Sequence, residues 1–130
     1  MADIAIGADA FASALEDIFE DVERVSRDGL NEGVTEGAKT GAREWRSGAR
    51  SNFKGRGKYA KSIRYKVDRS GDRPQATVYS TMPGLPHLLE KGHATVGGNF
   101  VPGREHIAPA AEEAFDRASK AAADAIGEGL

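Results

Sequence analysis

Four glycines recur at every fourth position of one stretch of this chain, and they limit its possible folds more than any other feature. Residues four apart lie about 40° apart around a helix, so these glycines would line a smooth, slowly turning groove. Each glycine costs up to about 1 kcal/mol relative to alanine in a helix interior. A weak, mobile helix is one interpretation, but we favour a groove for the close packing of another backbone. The predicted groove consists of Gly29, Gly33, Gly37 and Gly41.

Apolar residues spaced three and four apart predict helix on both sides of these glycines. One helix over residues 10–52 would be about 64 Å long, whereas a compact chain of this length has a radius of gyration of about 14 Å. The helix must therefore break or project from the body. Asp28 followed by Gly29 is a plausible helix end, so we predict a break or kink near Gly29. The two stripes are Phe11, Leu15, Ile18, Phe19, Val22 and Val25, then Leu30, Val34, Ala38, Ala42, Trp45 and Ala49.

The core must be thin, because Leu, Ile, Val and Phe together number 24 of 130 residues while Ala alone numbers 21. A length of 130 residues favours a single domain over residues 1–130. Such a small, Ala- and Gly-rich domain buries little large apolar surface for each residue it orders. Contacts with further copies of the chain are a common source of additional stability.

The second half of the chain has the pattern of a β-hairpin. Apolar and polar residues alternate over 62–68 and again over 75–81, with a turn-rich link between them. Arg64 and Lys66 fall on the face opposite the apolar side chains. We predict two antiparallel strands with one basic face.

Short elements then lead to a final helix. Residues 87–92 fit a short helix closed by Gly92, and residues 95–102 fit an exposed loop or an open hairpin. Pro109 is placed to open the last helix, with the stripe Ala111, Phe115, Ala118, Ala122 and Ile126. The predicted fold is α+β: a helical segment over 1–52, then a small antiparallel sheet, short helix, extended loop and C-terminal helix within 57–130.

Charge is divided sharply along the chain. Residues 1–42 carry ten acidic and three basic side chains, whereas residues 43–73 carry eleven basic and three acidic ones. One interpretation is a basic surface for nucleic acid. A second is complementarity between copies, in which the acidic end of one meets the basic middle of another. A third is a solvated surface with no partner.

Few residues could carry chemistry. The chain has no Cys, which excludes disulfides, Cys–zinc sites and thiol nucleophiles. His87, Glu90, His93 and His106 do not follow the two-histidine helical spacing of a metal site. The best enzymatic candidate is a ribonuclease-type site at Arg104, Glu105 and His106, opposed by the absence of any catalytic motif. We therefore expect no enzymatic activity, no metal and no cofactor.

No membrane segment is expected, since no apolar run approaches the 18 or so residues of a membrane span. The N-terminal residues are acidic and lack the basic-then-apolar pattern of a signal peptide. We therefore expect a protein of the cytoplasm, or of a particle assembled there.

Three motifs in the second half resemble a known family. They are Gly-Lys-Tyr-Ala-Lys-Ser-Ile at 57–63, Leu-Pro-His-Leu-Leu-Glu-Lys-Gly-His at 85–93, and Val-Pro-Gly-Arg-Glu-His-Ile-Ala-Pro-Ala at 101–110. Their order and spacing are similar to those of the small neck, or head–tail joining, proteins of long-tailed bacteriophages, the family of gene product ten of phage Hong Kong 97. The matched region runs from about Gly57 to Phe115. One departure is Glu105, where the family commonly has proline.

The resemblance implies a structural component of the phage virion at the head–tail junction. Such proteins form homo-oligomeric rings, commonly sixfold, that contact head-closure and tail proteins, and DNA could pass through the lumen without tight binding. No catalysis, metal or cofactor is implied. The alternatives are a ring-forming tail terminator or tail-completion protein and, from another class, a DNA-binding module that uses the basic segment 43–73.

A ring mechanism combines this resemblance with the charge pattern. We expect acidic helical surface on one copy to meet basic hairpin surface on the next, in a head-to-tail contact. Loop 94–106 would be a docking arm, with Phe100 as its apolar anchor unless Phe100 folds back on its own core. The candidate interface residues are Arg64, Lys66, Glu16, Glu20, Phe100 and Arg104.

Overall fold

The computed structural model describes residues 8–53, 55 and 57–130, and the side chains of residues 8–15 and 19 lie outside the description. Predictions for the Phe11, Leu15 and Phe19 side chains, and for Lys54 and Arg56 of the basic segment, therefore fall outside the described residues. The fold is α+β. Its elements in chain order are α1 (Ala8–Asn52), α2 (Lys58–Lys61), β1 (Ile63–Asp68), β2 (Gln75–Ser80), α3 (Leu85–Lys91), β3 (Gly92–Ala94), β4 (Phe100–Pro102) and α4 (Ile107–Gly129).

Helix α1 is continuous, so the predicted break near Gly29 is wrong. Its 45 residues correspond to a length of about 68 Å. Gly29 has no positive φ, so it does not form a left-handed helix end. It permits close packing, because the Ile126 side chain of α4 occupies the space that a Cβ would fill. The other outcome of the compactness argument holds, because α1 projects from the body: Gly129 at the end of α4 meets Val25, and α1 continues beyond that point.

Helix α4 packs antiparallel along the four glycines of α1. A Cβ built on Gly33 would lie 2.6 Å from the Ala118 carbonyl oxygen, and one on Gly37 would lie 2.7 Å from the Ala118 Cβ. Real Cβ atoms do not approach this closely, so only glycine permits the observed separation. The predicted groove thus lies directly against a second helix, whose facing residues are Ala114, Ala118, Ala122 and Ile126.

The β-hairpin has the predicted strands to within one residue. Ile63 pairs with Ser80 and Asp68 pairs with Gln75 in an antiparallel register. Ile63 is fully buried, whereas Arg64 and Lys66 are exposed on the opposite face, as the alternation predicts. The predicted loop at 95–102 is a second, shorter hairpin in which β3 pairs with β4.

A small core lies where α1, α2, the β1–β2 hairpin and the start of α4 meet. Three of its seven buried members are alanines of α1 and α4, and Ile63 is the largest fully buried side chain among the described residues. Four residues of the predicted apolar stripes are exposed instead of buried in this core: Ile18 (55%), Val22 (43%), Leu30 (43%) and Phe115 (73%). The buried core residues are Ala42, Trp45, Ala49, Tyr59, Ala60, Ile63 and Ala110.

Candidate functional site

The carboxylate of Glu90 on α3 caps the first turn of α4. Its Oε1 accepts hydrogen bonds from the backbone N–H groups of His106 (2.7 Å) and Ile107 (3.0 Å), and its Oε2 accepts one from Ala108 (3.0 Å). The first N–H groups of a helix have no partner within the helix, and α4 has no side-chain cap of its own. A residue 16 positions earlier in the chain therefore supplies the cap.

This position favours the charged form of the Glu90 carboxylate. Burial disfavours the charged form, but the N–H groups of Ile107, His106 and Ala108, with the nearby His106 ring, outweigh it and lower the Glu90 pKa from its ordinary value of 4.5. The positive end of the α4 helix dipole acts in the same direction. Glu90 is therefore a structural anion that fixes α4 to α3.

A buried chain of hydrogen bonds continues from this cap into the core. Trp45 Nε1 donates to the Tyr59 hydroxyl oxygen over 2.8 Å, and that hydroxyl lies 2.6 Å from His106 Nε2. The His106 Nδ1 lies 2.8 Å from the Arg104 carbonyl oxygen and 2.9 Å from Glu90 Oε1. Because both partners of Nδ1 are acceptors, Nδ1 carries the hydrogen and Nε2 accepts from Tyr59, an assignment made from the partners.

Tyr59 is held as a neutral phenol in this arrangement. Burial raises its pKa above 10.0, the Trp45 hydrogen bond partly opposes that shift, and the Glu90 charge adds to it. The Phe53 ring packs edge-on against both Tyr59 and His106. The network thus joins α1, α2 and the start of α4 through three buried side chains.

We predict that Tyr59→Phe lowers the free energy of unfolding by about 2–4 kcal/mol, because it leaves Trp45 Nε1 and His106 Nε2 buried without partners. Chemical denaturation monitored by tryptophan fluorescence measures the change directly at Trp45. Tyr79→Phe is the matched control, since Tyr79 is 37% exposed and its loss should change stability by less than about 0.5 kcal/mol. Equal stabilities of the two variants would show that the network does not hold the core.

The structure gives the three residues of the enzymatic candidate different surroundings. The His106 side chain is fully buried, whereas a general acid or base must reach its substrate. Glu105 is exposed, and Arg104 donates to the Asn52 carbonyl oxygen. Among the described residues, no group of three His, Cys, Asp or Glu side chains could hold a metal ion.

The candidate interface residues lie on three separate parts of the surface. Glu16 and Glu20 are exposed on the projecting end of α1, and Arg64 and Lys66 are exposed on β1. Arg46 of α1 donates to the Ile63 carbonyl oxygen, and Arg69, just beyond β1, donates to the Thr35 hydroxyl. Strand β1 therefore lies between about 22 and 39 Å along the helix axis from Glu20. Acidic and basic surfaces this far apart on one rigid helix can meet only between copies.

The remaining two candidates lie on and beside the β3–β4 hairpin. Phe100 is 63% exposed, Val96 at the tip is fully exposed, and Val101 is 42% exposed. The base of the hairpin is fixed, since the Arg104 N–H donates to the Leu89 carbonyl oxygen over 2.8 Å. This is an apolar arm on a rigid support, as a docking element requires.

Sequence reasoning missed the Glu90 cap and the Trp45–Tyr59–His106 network. In the sequence, Trp45 is one member of an apolar stripe, Tyr59 lies in the first motif, and Glu90 is a candidate metal ligand and a member of the second motif. One available signal was the absence of Ser, Thr, Asp or Asn at the start of α4, where the sequence is Glu105-His106-Ile107. A helix without its own cap needs a partner from elsewhere.

No protein-family model, curated protein or solved structure matches this chain. The described part of the chain contains no helix that is both long enough and apolar enough to cross a membrane. The assignment of function therefore depends on the chain's own geometry and on the motifs set out above.

Proposed function

We propose that this chain is a structural subunit of the phage head–tail connection, a neck protein that assembles into a ring joining head and tail. The observation that carries the proposal is that the three motifs that resemble the phage family meet at one junction, where Tyr59, Glu90 and His106 are joined by hydrogen bonds.

The exposed surface includes large apolar side chains on elements that project. Ile18 and Val22 lie on the free end of α1, Phe115 on α4, and Phe100 on the β3–β4 hairpin, each between 43% and 73% exposed. Single exposed apolar residues are common, but here they recur on α1, on α4 and on the β3–β4 hairpin. This distribution supports a chain that completes its packing inside an assembly.

The motif residues support a structural interpretation of the family resemblance. Glu90 from the second motif accepts hydrogen bonds from His106, Ile107 and Ala108 of the third, and Tyr59 from the first binds His106. Three segments separated in sequence thus meet at one junction. Their side chains are used to fix α3, α4 and the hairpin arm together, which is a reason for their spacing that needs no catalysis.

The charge distribution supports head-to-tail assembly rather than binding of DNA along the basic segment. Arg46 and Arg64 both donate to backbone carbonyl oxygens of their own chain, and Arg69 donates to the Thr35 hydroxyl. Some N–H donors of these side chains are used within the fold, while each guanidinium keeps its full positive charge. That charge suits contact with an acidic surface such as the projecting end of α1.

Deletion of the gene from a phage that encodes this chain tests the proposal. We expect filled heads and complete tails to accumulate unjoined, and joining to be restored by the wild-type protein supplied in trans. Electron microscopy of the lysate, with gold-labelled antibody on complemented virions, is the measurement. Label at the junction supports the proposal.

Joined, infectious particles in the deletion would overturn it. Tails of abnormal length in the deletion would instead identify a tail terminator, the alternative with the same ring architecture. Label that stays with soluble DNA–protein complexes and never with virions would favour the DNA-binding alternative.

A further inference from the structure

Two cations lie side by side on the outer face of the β1–β2 hairpin, the face opposite Ile63 and the core. Arg64 and Lys66 are both exposed there, and among the residues that the structure describes neither has a carboxylate within 4 Å. Lys66 Nζ lies 5.6 Å from the centroid of the Tyr79 ring, and Arg64 donates to the Ile63 carbonyl oxygen over 3.0 Å. These contacts hold both cations on the face without neutralising them.

The outer face keeps a net positive charge. Asp68 is the one carboxylate that alternation places on it, and its Oδ1 already accepts hydrogen bonds from the Ser70 N–H over 2.9 Å and the Ser70 hydroxyl over 2.6 Å. Val78, on the inner face, lines the groove between the hairpin and α4. The α4 carboxylates Glu112 and Asp116 therefore lie on the other side of the hairpin from the two cations.

A matching pair of anions lies on the projecting end of α1. Glu16 and Glu20 are exposed, and a step of four residues places them within about 40° on one side of the helix. No described cation lies within 4 Å of either carboxylate. This side is turned about 170° from Val25 and Gly29, which contact α4, so α4 leaves the two glutamates uncovered.

The two pairs agree in spacing and are opposite in charge. Glu16 and Glu20 are separated by a rise of about 6 Å along the helix, and the Cα atoms of Arg64 and Lys66 by about 6.7 Å along the strand. Because α1 is one continuous helix, its glutamates cannot reach the hairpin of their own chain. Only a second copy brings a Glu16–Glu20 pair to this face.

A second copy fits the outer face better than nucleic acid does. Binding to phosphates depends on many cations acting together, whereas this face presents Arg64 and Lys66. Phosphates would also pair only the cations and leave Glu16 and Glu20 facing water. Contact between copies pairs both sets at once.

We propose that the outer face of the β1–β2 hairpin of each copy binds the Glu16–Glu20 side of the projecting α1 end of the next copy. Arg64 and Lys66 pair with the two carboxylates across this contact. The contact is heterologous, so it propagates around a ring when the rotation closes. The inference rests on the proposed ring-forming function and specifies the contact that builds the ring.

Carbodiimide cross-linking of the wild-type protein tests the contact, because it joins a carboxylate directly to an amine without a spacer. We expect Lys66 to be linked to Glu16 or Glu20, identified by mass spectrometry of the peptides. In a mixture of ¹⁵N-labelled and unlabelled chains the linked peptides should carry one label, which shows that the link joins two copies. Lys91, exposed on α3, is the control and should give no link to these glutamates.

Exchange of the charges measures their contribution. One variant carries Glu16→Lys with Glu20→Lys, and the other carries Arg64→Glu with Lys66→Glu. Each variant alone should associate at least about tenfold more weakly than wild type at low salt, because like charges then meet. An equal mixture should recover the wild-type association constant to within about threefold, since every mixed contact again joins opposite charges. Sedimentation velocity measures the association.

The matched control carries Glu112→Lys with Asp116→Lys. It makes the same change of charge at the same four-residue spacing, at two exposed positions of α4. We expect its association constant to stay within about threefold of wild type. All six substituted positions are exposed, so circular dichroism should show the wild-type fold in every variant.

The inference is overturned by oligomers that lack the Lys66 cross-link, by a mixture that does not recover, or by a chain that stays monomeric at about 1 mM. Binding of duplex DNA that is lost on Arg64→Glu with Lys66→Glu, without any Lys66 cross-link, would assign the face to nucleic acid instead. Virions that contain the chain but lack the cross-link contradict this contact alone. Cross-linked oligomers of a chain that is absent from virions contradict the virion role alone.

Discussion

Gly33→Leu is expected to detach α4 from α1 and lower the free energy of unfolding by at least about 3 kcal/mol. A Cβ at this position lies 2.6 Å from the Ala118 carbonyl oxygen and 2.7 Å from the Ala122 Cβ, and neither a backbone oxygen nor an alanine can rotate away. The two helices must separate along most of their shared length. Thermal denaturation followed by circular dichroism should show a melting temperature lower by at least about 10 °C.

Gly127→Leu is the control for this prediction, because it places the same side chain on a helical glycine whose Cβ would meet nothing within 4 Å. It should raise stability by up to about 1 kcal/mol through helix propensity alone. A melting temperature for Gly33→Leu within two or three degrees of wild type would show that α4 does not pack on the glycines.

Glu90→Gln is expected to destabilise the protein by about 2–3 kcal/mol at pH 7. The amide presents one oxygen to three backbone N–H groups, and its own NH₂ faces the positive end of α4. In the wild type, the folded-state Glu90 pKa lies below its ordinary value of 4.5. The charge therefore stabilises the fold fully above that value, and the stabilisation is lost as the pH falls through the lower, folded-state pKa.

The difference between wild type and Glu90→Gln should accordingly be constant between pH 6 and 7 and shrink below about pH 4.5. Urea denaturation at each pH measures it. Glu105→Gln is the control, because Glu105 is exposed and adjacent to His106 but accepts none of these bonds. A Glu90→Gln deficit that persists unchanged at pH 3 would show that the charge of Glu90 is not what holds α4.

Patterns in the sequence predicted an element correctly where its structure depends on residues that are neighbours in the chain. Alternation located the β1–β2 strands because side chains of successive strand residues point to opposite faces, and Gly92 closes α3 because its φ of 91° is unfavourable for other residues. The same reasoning failed at Gly29. There the stop signal is real, but packing of Ile126 over the glycine outweighs the propensity to end the helix.

The Trp45–Tyr59–His106 network could not be read from spacing, because its members come from three elements and its geometry depends on how those elements pack. Each residue taken alone has a commoner explanation: Trp45 as core, Tyr59 as a stacking ring, His106 as a base. Only the positions of the acceptors around His106 show that Trp45, Tyr59 and His106 form one hydrogen-bonded network.

The cap formed by Glu90 has a consequence for the chain between it and α4. Residues 91–105 leave and return to the same point, so they form a loop whose two ends are tied independently of its length. Lengthening such a loop is thermodynamically mild, about 0.6 kcal/mol for each doubling. The sequence and length of the tip around Val96 can therefore change to suit different contact surfaces while α3 and α4 keep their positions.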